Sequence, residues 1–572
     1  MKTFFEWICD SYKIGMNQLH EHNFFEDSPT KVLMSYSNFT PRKKAYFEFS
    51  DDDERLVSYG IRHTVQYIHD LAEEFFSTDK EKVYNRLVVF LTSHYGGDVE
   101  VDHKRFLDDI MKLHDLGYLP LEYRAIDEGL KAPIGIPLFT VKNTHPEFSW
   151  LINNLETLTS QLYWPMVNTA TKIDQFYKQA KHYGEMSTPK EVLDLWLPVC
   201  VHNFEARGMF GPEHSSRAGS ASCIPFIGSD TVSSIPFAQE YYDYDPTIDP
   251  PIAVSIRASE HADITRLLSE FRYRGITEDT ELEVIKKLAE HTEGMFSYVA
   301  DSENYYRTIS EYALAAKDYI LNRKDGSNGL PAKWVWRPDS SRLRPLEVIC
   351  GLKVVEEWDD IKTCYLTTED GEVMYETSTG KYFEVKDNST DMSWKQEMVF
   401  TEIDPLEVKG SLQILWEVFG GEEVDTPVGK MKMLSPKVGL IYGESISQKH
   451  QKEIYERMIA NGFSVSNLII GKGSYANLEG NTRDMFSMSF KQTFSLAEIE
   501  GKIVNLEQQK TPMGDVSKKS AKGLLMVDEN FKLHQEVDEA TEQTGVLTLL
   551  YKDGVMEKEQ SFLDIKEKYF SN

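Results

Sequence analysis

The chain has 572 residues, 41% hydrophobic and 12% aromatic, enough for roughly two to four domains and a large core. Its net charge of −30 argues against general nucleic-acid binding, and no apolar run reaches the length of a membrane span. The five cysteines (Cys9, Cys200, Cys223, Cys350 and Cys364) are odd in number, widely spaced and free of any CxxC, so neither a disulfide framework nor a structural zinc site is expected. The opening MKTFFEWICDSY puts Glu6 and Asp10 where a secretory signal needs an apolar core; a cytoplasmic protein is expected.

Near the start, Asp10-Ser11-Tyr12-Lys13 is followed by a basic cluster, Arg42-Lys43-Lys44, and an acidic run, Asp51–Glu54. Ile61, Val65, Ile68, Leu71 and Phe75 recur at helical spacing and predict an amphipathic helix facing a core. Short strand-like runs punctuated by Pro120, Pro133 and Pro137 predict a β-rich layer over Leu113–Val141. Trp150, Leu151, Leu155, Leu158 and Leu162 predict a helix that Pro165 ends, with a further polar helix over Lys172–His182.

From about residue 200 to about 485, six strand-like runs each finish in polar, charged or glycine residues. Ile224–Phe226 leads to Gly228-Ser229-Asp230-Thr231, Pro251–Ile256 to Glu260-His261, and Met295–Ala300 to Asp301-Ser302. Trp334–Trp336 leads to Arg337-Pro338-Asp339, Val438–Tyr442 to Gly443-Glu444-Ser445, and Asn467–Ile470 to Gly471-Lys472-Gly473-Ser474. With helix-length segments between most of them, this is how a (β/α) barrel places its site at the C-terminal ends of parallel strands. Arg337 and Asp339, opposite charges at one strand end, suit a ligand with both anionic groups and hydroxyls. The series is interrupted over about 351–433, expected to be largely an insertion packed on the outside. There Asp370-Gly371, between Thr363–Leu366 and Glu372–Tyr375, is a hairpin signal. Lys381–Val385 follows a turn at Gly380, and Leu406–Phe419 reads as helical despite Gly410. The tail holds Lys518-Lys519 and Lys522 in a polar loop and a strand pattern over Val546–Tyr551.

Ten fragments in one order resemble the nicotinamide phosphoribosyltransferase family, in its phage or bacterial form. They are DSYK at Asp10–Lys13; NTHPEFSWLINNLETLTSQLYWP at Asn143–Pro165; HNFEARG at His202–Gly208; GSDTV at Gly228–Val232; SEH at Ser259–His261; ADS at Ala300–Ser302; RPDS at Arg337–Ser340; the glycine turn Gly471–Ser474; and TRD with SFK at Thr482–Asp484 and Ser489–Lys491. The resemblance implies an α/β fold: an incomplete (β/α) barrel with a second, mainly antiparallel β layer built from the N- and C-terminal parts. Its domains would be residues 1–190 and 491–572 for the layer and 191–490 for the barrel. It implies a homodimer with shared active sites. It also implies transfer of the phosphoribosyl group of 5-phosphoribosyl-1-pyrophosphate (PRPP) to nicotinamide, the entry step of NAD salvage.

The same resemblance assigns roles. Phe204 would stack on one face of the pyridine ring and Tyr12 of the partner subunit on the other; Asp230 would accept a hydrogen bond from the amide and repel nicotinate. Arg207 and Arg337 would bind phosphate oxygens and the amide carbonyl region. Arg483 and Lys491 would hold the 5-phosphate or pyrophosphate, Arg483 across the dimer, while Gly473 and Ser474 present backbone N–H groups to the 5-phosphate. Asp301 and Asp339 would face the ribose hydroxyls and a Mg²⁺ carried by the pyrophosphate, with no fixed metal cage. His261 would be the histidine phosphorylated by ATP. Ser341 after RPDS, Gly443-Glu444-Ser445 where the family has Gly-Asp-Gly, and Lys472 and Tyr475 in the glycine turn depart from the pattern. Glu444 keeps a carboxylate on a longer arm for the ribose, and Lys472 and Tyr475 would either add phosphate contacts or crowd the turn. The alternatives are a nicotinate-using relative, which Asp230 opposes, and an inactive ligand-binding relative.

Overall fold

The computed structural model describes residues 3–7, 9–19, 30–327, 329–339, 341–361, 372–387, 398–443, 446–511 and 519–572. Glu444, Ser445, Ser340, Cys364, Lys518 and the Asp370-Gly371 hairpin signal lie outside the described residues.

A parallel six-stranded sheet forms a curled barrel wall, in the order Val201–Asn203, Leu468–Lys472, Val438–Tyr442, Lys333–Arg337, Met295–Val299, Arg257–Ala258. The gap between its edge strands is crossed only by isolated parallel bridges, Asn203↔Ser229 and Gly228↔Val254. Two expected strands are therefore weaker than the sequence suggests. Ile224–Phe226 is turn and coil, and Pro251–Ile256 is reduced to the Val254 bridge ahead of the two-residue strand Arg257–Ala258. Pro225, Pro250 and Pro251 have no N–H to give a ladder, which confines this side to single bridges.

The strand faces explain how the barrel is filled. Trp334 and Trp336 are fully buried toward the helix layer, with Trp336 6.4 Å from the Phe419 ring. Side chains alternate along a strand, so Val335 and Arg337 project the other way, into the barrel. The helices His261–Tyr273, Thr280–His291, Pro345–Cys350, Pro405–Phe419 and Gln448–Ala460 cover the outside.

The second layer is a seven-stranded antiparallel sheet woven from both ends of the chain. Thr30–Thr40 pairs with Ser489–Ile499 on one side and Phe139–Asn143 on the other; Leu121–Ala125 and Thr548–Lys552 extend the sheet. The predicted helix is Ile61–Ser77, with Ile61, Val65, Ile68 and Phe75 buried against this layer.

One helix of 32 residues, Glu156–Ser187, joins the two units and runs straight through Pro165, correcting the expected stop. An interior proline costs about 3 kcal/mol in isolation. The carbonyl it deprives of a donor is that of Gln161, on an exposed residue, so water can satisfy it. Against that cost the helix buries Leu158, Leu162 and Tyr163 in one core and Ile173, Phe176 and Ala180 in another. The helix expected over Lys172–His182 is its second half, and the polar residues there, Lys172, Asp174, Gln175 and Gln179, are all buried.

The stretch 351–433 divides into a sheet, a helix and a hairpin, Gly421–Thr426 with Gly429–Leu434. A four-stranded sheet (Val354–Trp358, Glu372–Glu376, Lys381–Asp387, Met398–Ile403) has its own small core of Ile361, Met374, Phe383 and Val385. The helix Pro405–Phe419 instead packs Leu412, Ile414, Leu415 and Phe419 into the barrel core. It kinks at Gly410 (φ 72°, ψ 167°), where a Cβ would sit 2.1 Å from Gly351 N. Among the described residues no helix is long and apolar enough to cross a membrane.

Candidate active site

The C-terminal ends of the barrel strands gather most of the residues singled out in the sequence. His202 and Phe204 lie on the inward face of their strand, since Val201 packs outward into the barrel core. Their rings are 4.6 Å apart and tilted by 35°. By the same alternation Leu440 and Tyr442, and Leu468 and Ile470, face outward, which turns Gly443 and Gly471 inward. Both glycines are needed for space. A Cβ at Gly471 would lie 2.8 Å from the Phe204 ring and 2.5 Å from Gly443 Cα.

Asp230 is placed by its own N–H, which donates to Asn203 O at 2.9 Å. His202 Nε2 lies 2.9 Å from Asp230 Oδ1, and the Ser255 hydroxyl donates to the same oxygen. Burial pushes the Asp230 carboxyl up, but the hydrogen bonds from His202 and Ser255 and the charges of His202 and Arg337 together hold it below the usual carboxylate range. The sequence reading gave no role to His202 or Ser255; the period-two spacing of His202 and Phe204 in HNFEARG was the available signal.

A second group sits at the next strand ends. His261 opens its helix beside the N-cap Glu260. Its Nε2 is 3.1 Å from Asp301 Oδ1 and its Nδ1 3.7 Å from Asp339 Oδ2. Asp301 is almost fully buried, while the side chains of His261 and Asp339 are each 36% exposed. Arg337 donates from Nη2 to Ser259 O at 3.1 Å, and its buried Nε has no hydrogen-bond partner among the described residues. Ser259 is itself locked between strands, donating to Ser297 O at 2.8 Å and accepting from Val299 N–H at 2.8 Å.

Gly473 and Ser474 begin a short helix, Ser474–Leu478. A Cβ at Gly208 would fall 1.9 Å from Ser474 Oγ, so the HNFEARG loop and the glycine turn are in contact. Arg207, on that loop, is exposed and has no ion pair among the described residues. Lys472 does not point at the mouth. It shares the outward face of Leu468 and Ile470 and forms a fully buried ion pair with Glu205, which also accepts from Asn203 and Asn477. Tyr475 is half-exposed, its hydroxyl donating to Glu479 at 2.7 Å.

Three residues lie elsewhere in the chain. Tyr12 is 64% exposed on the helix Ser11–Leu19. Arg483 is exposed beside Asp484. Lys491, paired in register with Asn38 in the antiparallel sheet, donates to Phe490 O at 2.7 Å. Burial lowers the Lys491 ammonium; Glu156 opposes this, while Arg42, Lys510 and Lys13 reinforce it. Among the described residues no hydrogen bond or ion pair joins Tyr12, Arg483 or Lys491 to the barrel-mouth groups. Nor do the described residues contain a cluster of three or more His, Cys, Asp or Glu able to hold a metal ion.

No family model matches the chain. A curated protein named nicotinamide phosphoribosyltransferase from Acinetobacter baylyi is 31% identical over 543 residues, covering 93% of this chain and 92% of that protein. A protein of the same name from Xanthomonas campestris is 24% identical over 410 residues, covering 72% and 68%. A solved structure of nicotinate-nucleotide pyrophosphorylase from Pyrococcus furiosus overlays with a TM-score of 0.47 at 13% identity, covering 100% of this chain and 98% of that one; this likeness is too loose to bear on activity.

Proposed function

The chain belongs to the nicotinamide phosphoribosyltransferase family, and we propose that it is a pentosyltransferase that joins nicotinamide to PRPP, forming nicotinamide mononucleotide and pyrophosphate for NAD salvage. The observation that carries this reading is the convergence of Phe204, Asp230, His261, Asp301, Arg337 and Asp339 at one barrel mouth. The pyridine nitrogen attacks the anomeric carbon as the bond to pyrophosphate breaks, so no protein nucleophile is needed. Positioning and charge complementarity carry the rate.

In this reading Phe204 supports the ring from one face, at about 0.5–1.5 kcal/mol beyond area burial. Asp230 reads the substrate amide. His202 and Ser255 both occupy Oδ1, which leaves Oδ2 to accept the amide N–H. Against nicotinate the same charge, at about 4 Å and an effective dielectric near 20, costs about 4 kcal/mol, on the order of a thousandfold. Arg337, held through Nη2 on Ser259 O, would offer the rest of its guanidinium to phosphate or amide oxygen. Arg207 and the N–H groups at Gly473 and Ser474 take phosphate, and Gly443 leaves room for the ring. Glu444 would contact ribose.

Two carboxylates converging on one imidazole also suit an oxygen-ligated Mg²⁺ that arrives with PRPP. The ion would supply charge neutralisation of the leaving pyrophosphate, with Asp301 and Asp339 orienting it. ATP would phosphorylate His261: an imidazole nitrogen attacks the γ-phosphorus, a P–N bond forms and ADP leaves. Tyr12 of the partner subunit, with Arg483 of the partner subunit and Lys491 of the partner subunit, would complete each site in a homodimer.

The test is purified protein with PRPP and Mg²⁺, nicotinamide or nicotinate, with and without ATP, and chromatographic detection of the mononucleotide. Product from nicotinamide, raised by ATP, is expected. Product mainly from nicotinate would overturn the Asp230 reading, and PRPP binding without product from either would favour the inactive relative.

A further inference from the structure

Away from the barrel mouth, a cleft of about 590 Å³ lies between the end of the helix Pro345–Cys350, the kink of Pro405–Phe419 and the end of Gln448–Ala460. This volume is within the usual range for small-molecule sites, about 300–1,000 Å³. Its floor is apolar and fixed: Leu412, Met458 and Phe463 are buried. Its rim carries three cations, Lys353, Lys409 and Arg457, and among the described residues no carboxylate lines it. Lys409 is paired with Glu417 at 2.7 Å, but Lys353 and Arg457 have no ion pair among the described residues.

That composition is unusual on a chain of net charge −30. A comparably large cleft, about 470 Å³, mixes Arg257, Arg323 and Lys324 with Glu290, Glu293 and Asp318, so its lining carries both signs of charge. The walls of the all-cationic cleft are also held in shape. A Cβ at Gly351 would lie 2.1 Å from Val408 O, so the two walls touch backbone to backbone. Asn461 Nδ2 donates to Cys350 O at 2.9 Å, tying the helix ends together.

We propose that this cleft is a second small-molecule site, which takes a phosphorylated ligand bearing a flat or apolar group. The anion sits against Lys353 and Arg457, and the apolar part lies on Leu352 and Val408, over the buried Leu412, Met458 and Phe463. The phosphate makes charge-assisted hydrogen bonds, and the planar guanidinium of Arg457 is the better fork for it.

The probe is adenosine monophosphate, titrated calorimetrically into the full-length protein, with adenosine and inorganic phosphate as separate arms. Arg457→Gln and Lys353→Glu test the cleft, and Arg337→Ala tests whether the barrel mouth is being read instead. The expected result is one adenosine monophosphate per chain that survives Arg337→Ala and weakens about tenfold or more in either cleft variant, one such decade being about 1.4 kcal/mol. Both control arms should bind at least about tenfold more weakly. Lys353 is exposed, so its variant keeps the test open if Arg457→Gln does not fold. Binding that is lost in Arg337→Ala, unchanged in Lys353→Glu, matched by adenosine or by phosphate alone, or absent would overturn the proposal.

Discussion

At the scale of single residues, His261 is held between two carboxylates, Asp301 at 3.1 Å and Asp339 at 3.7 Å. If it is the phosphoryl acceptor, His261→Asn removes the stimulation by ATP while leaving a basal rate, and radiolabel from γ-labelled ATP no longer stays on the protein. Label retained by the variant would place the acceptor elsewhere. A second residue-scale consequence lies just behind this group. Glu281 is buried and accepts from Tyr298 at 2.9 Å and Thr308 at 2.8 Å. Burial, reinforced by Glu303 and Asp301, pushes its carboxyl up to about 7. The folded state therefore binds a proton that the unfolded state has lost, so this group's contribution to stability falls as pH rises from about 4.5 to about 7 and levels off above, by on the order of 3 kcal/mol. Glu281→Gln cannot ionise; its single carbonyl oxygen accepts from one of the two hydroxyls, and its NH2 group can donate to the other. Its melting temperature should therefore gain on the parent between pH 5 and pH 8; an unchanged difference would refute the shift. Glu281 carried no signal in the sequence, because its burial follows from packing against Tyr298 and not from any motif.

At the scale of elements, the strand Leu468–Lys472 shows what alternation decides. The glycine turn is legible in the sequence as a turn after a strand, but Lys472, expected either to add a phosphate contact or to crowd the turn, lies on the other face, paired with Glu205. The run read to Ile470 continues to Lys472, and a residue two positions past Ile470 on the same strand shares its outward face. Removing the ammonium leaves a buried carboxylate uncompensated, so Lys472→Met should cost about 3–5 kcal/mol in urea unfolding, and adding Glu205→Gln should recover part of it. No recovery in the double variant would mean that the pair is not the cause. The barrel runs Met295–Val299, Lys333–Arg337 and Val438–Tyr442 stood out because they are continuous apolar segments. Thr30–Thr40 did not, because it is covered on both faces, Phe39 in one core and Tyr36 in another, with buried Ser35 and Ser37 between them. Pro165 misled for a related reason: propensity ends a helix there, and burial in two cores carries it on.

At the scale of the whole molecule, the chain holds two separate groups of cations. Arg337 and Arg207 are at the barrel mouth, whereas Lys491, Arg42 and Lys13 are grouped on the antiparallel layer. In the homodimer proposed above, shared sites would join the two sets, and that arrangement would have an arithmetic signature. Asp339→Ala disables the barrel half of a site and Lys491→Ala the layer half, so each variant alone should be nearly inactive. Each heterodimer would carry one intact site, and random mixing would restore about a quarter of the parental activity. No recovery on mixing, after exchange of subunits is shown by sedimentation, would mean that each chain works alone.

The central claim is that Asp230, aimed by His202 and Ser255, makes this barrel mouth a nicotinamide site. The most direct measurement is the ratio of kcat/KM for nicotinamide to that for nicotinate, in the parent and in Asp230→Ser, with PRPP and Mg²⁺ saturating. A parental ratio on the order of a thousand that collapses toward one in Asp230→Ser, chiefly through gain of nicotinate turnover, is the predicted result. A parent that uses both substrates equally, or a ratio that Asp230→Ser leaves unchanged, would contradict it.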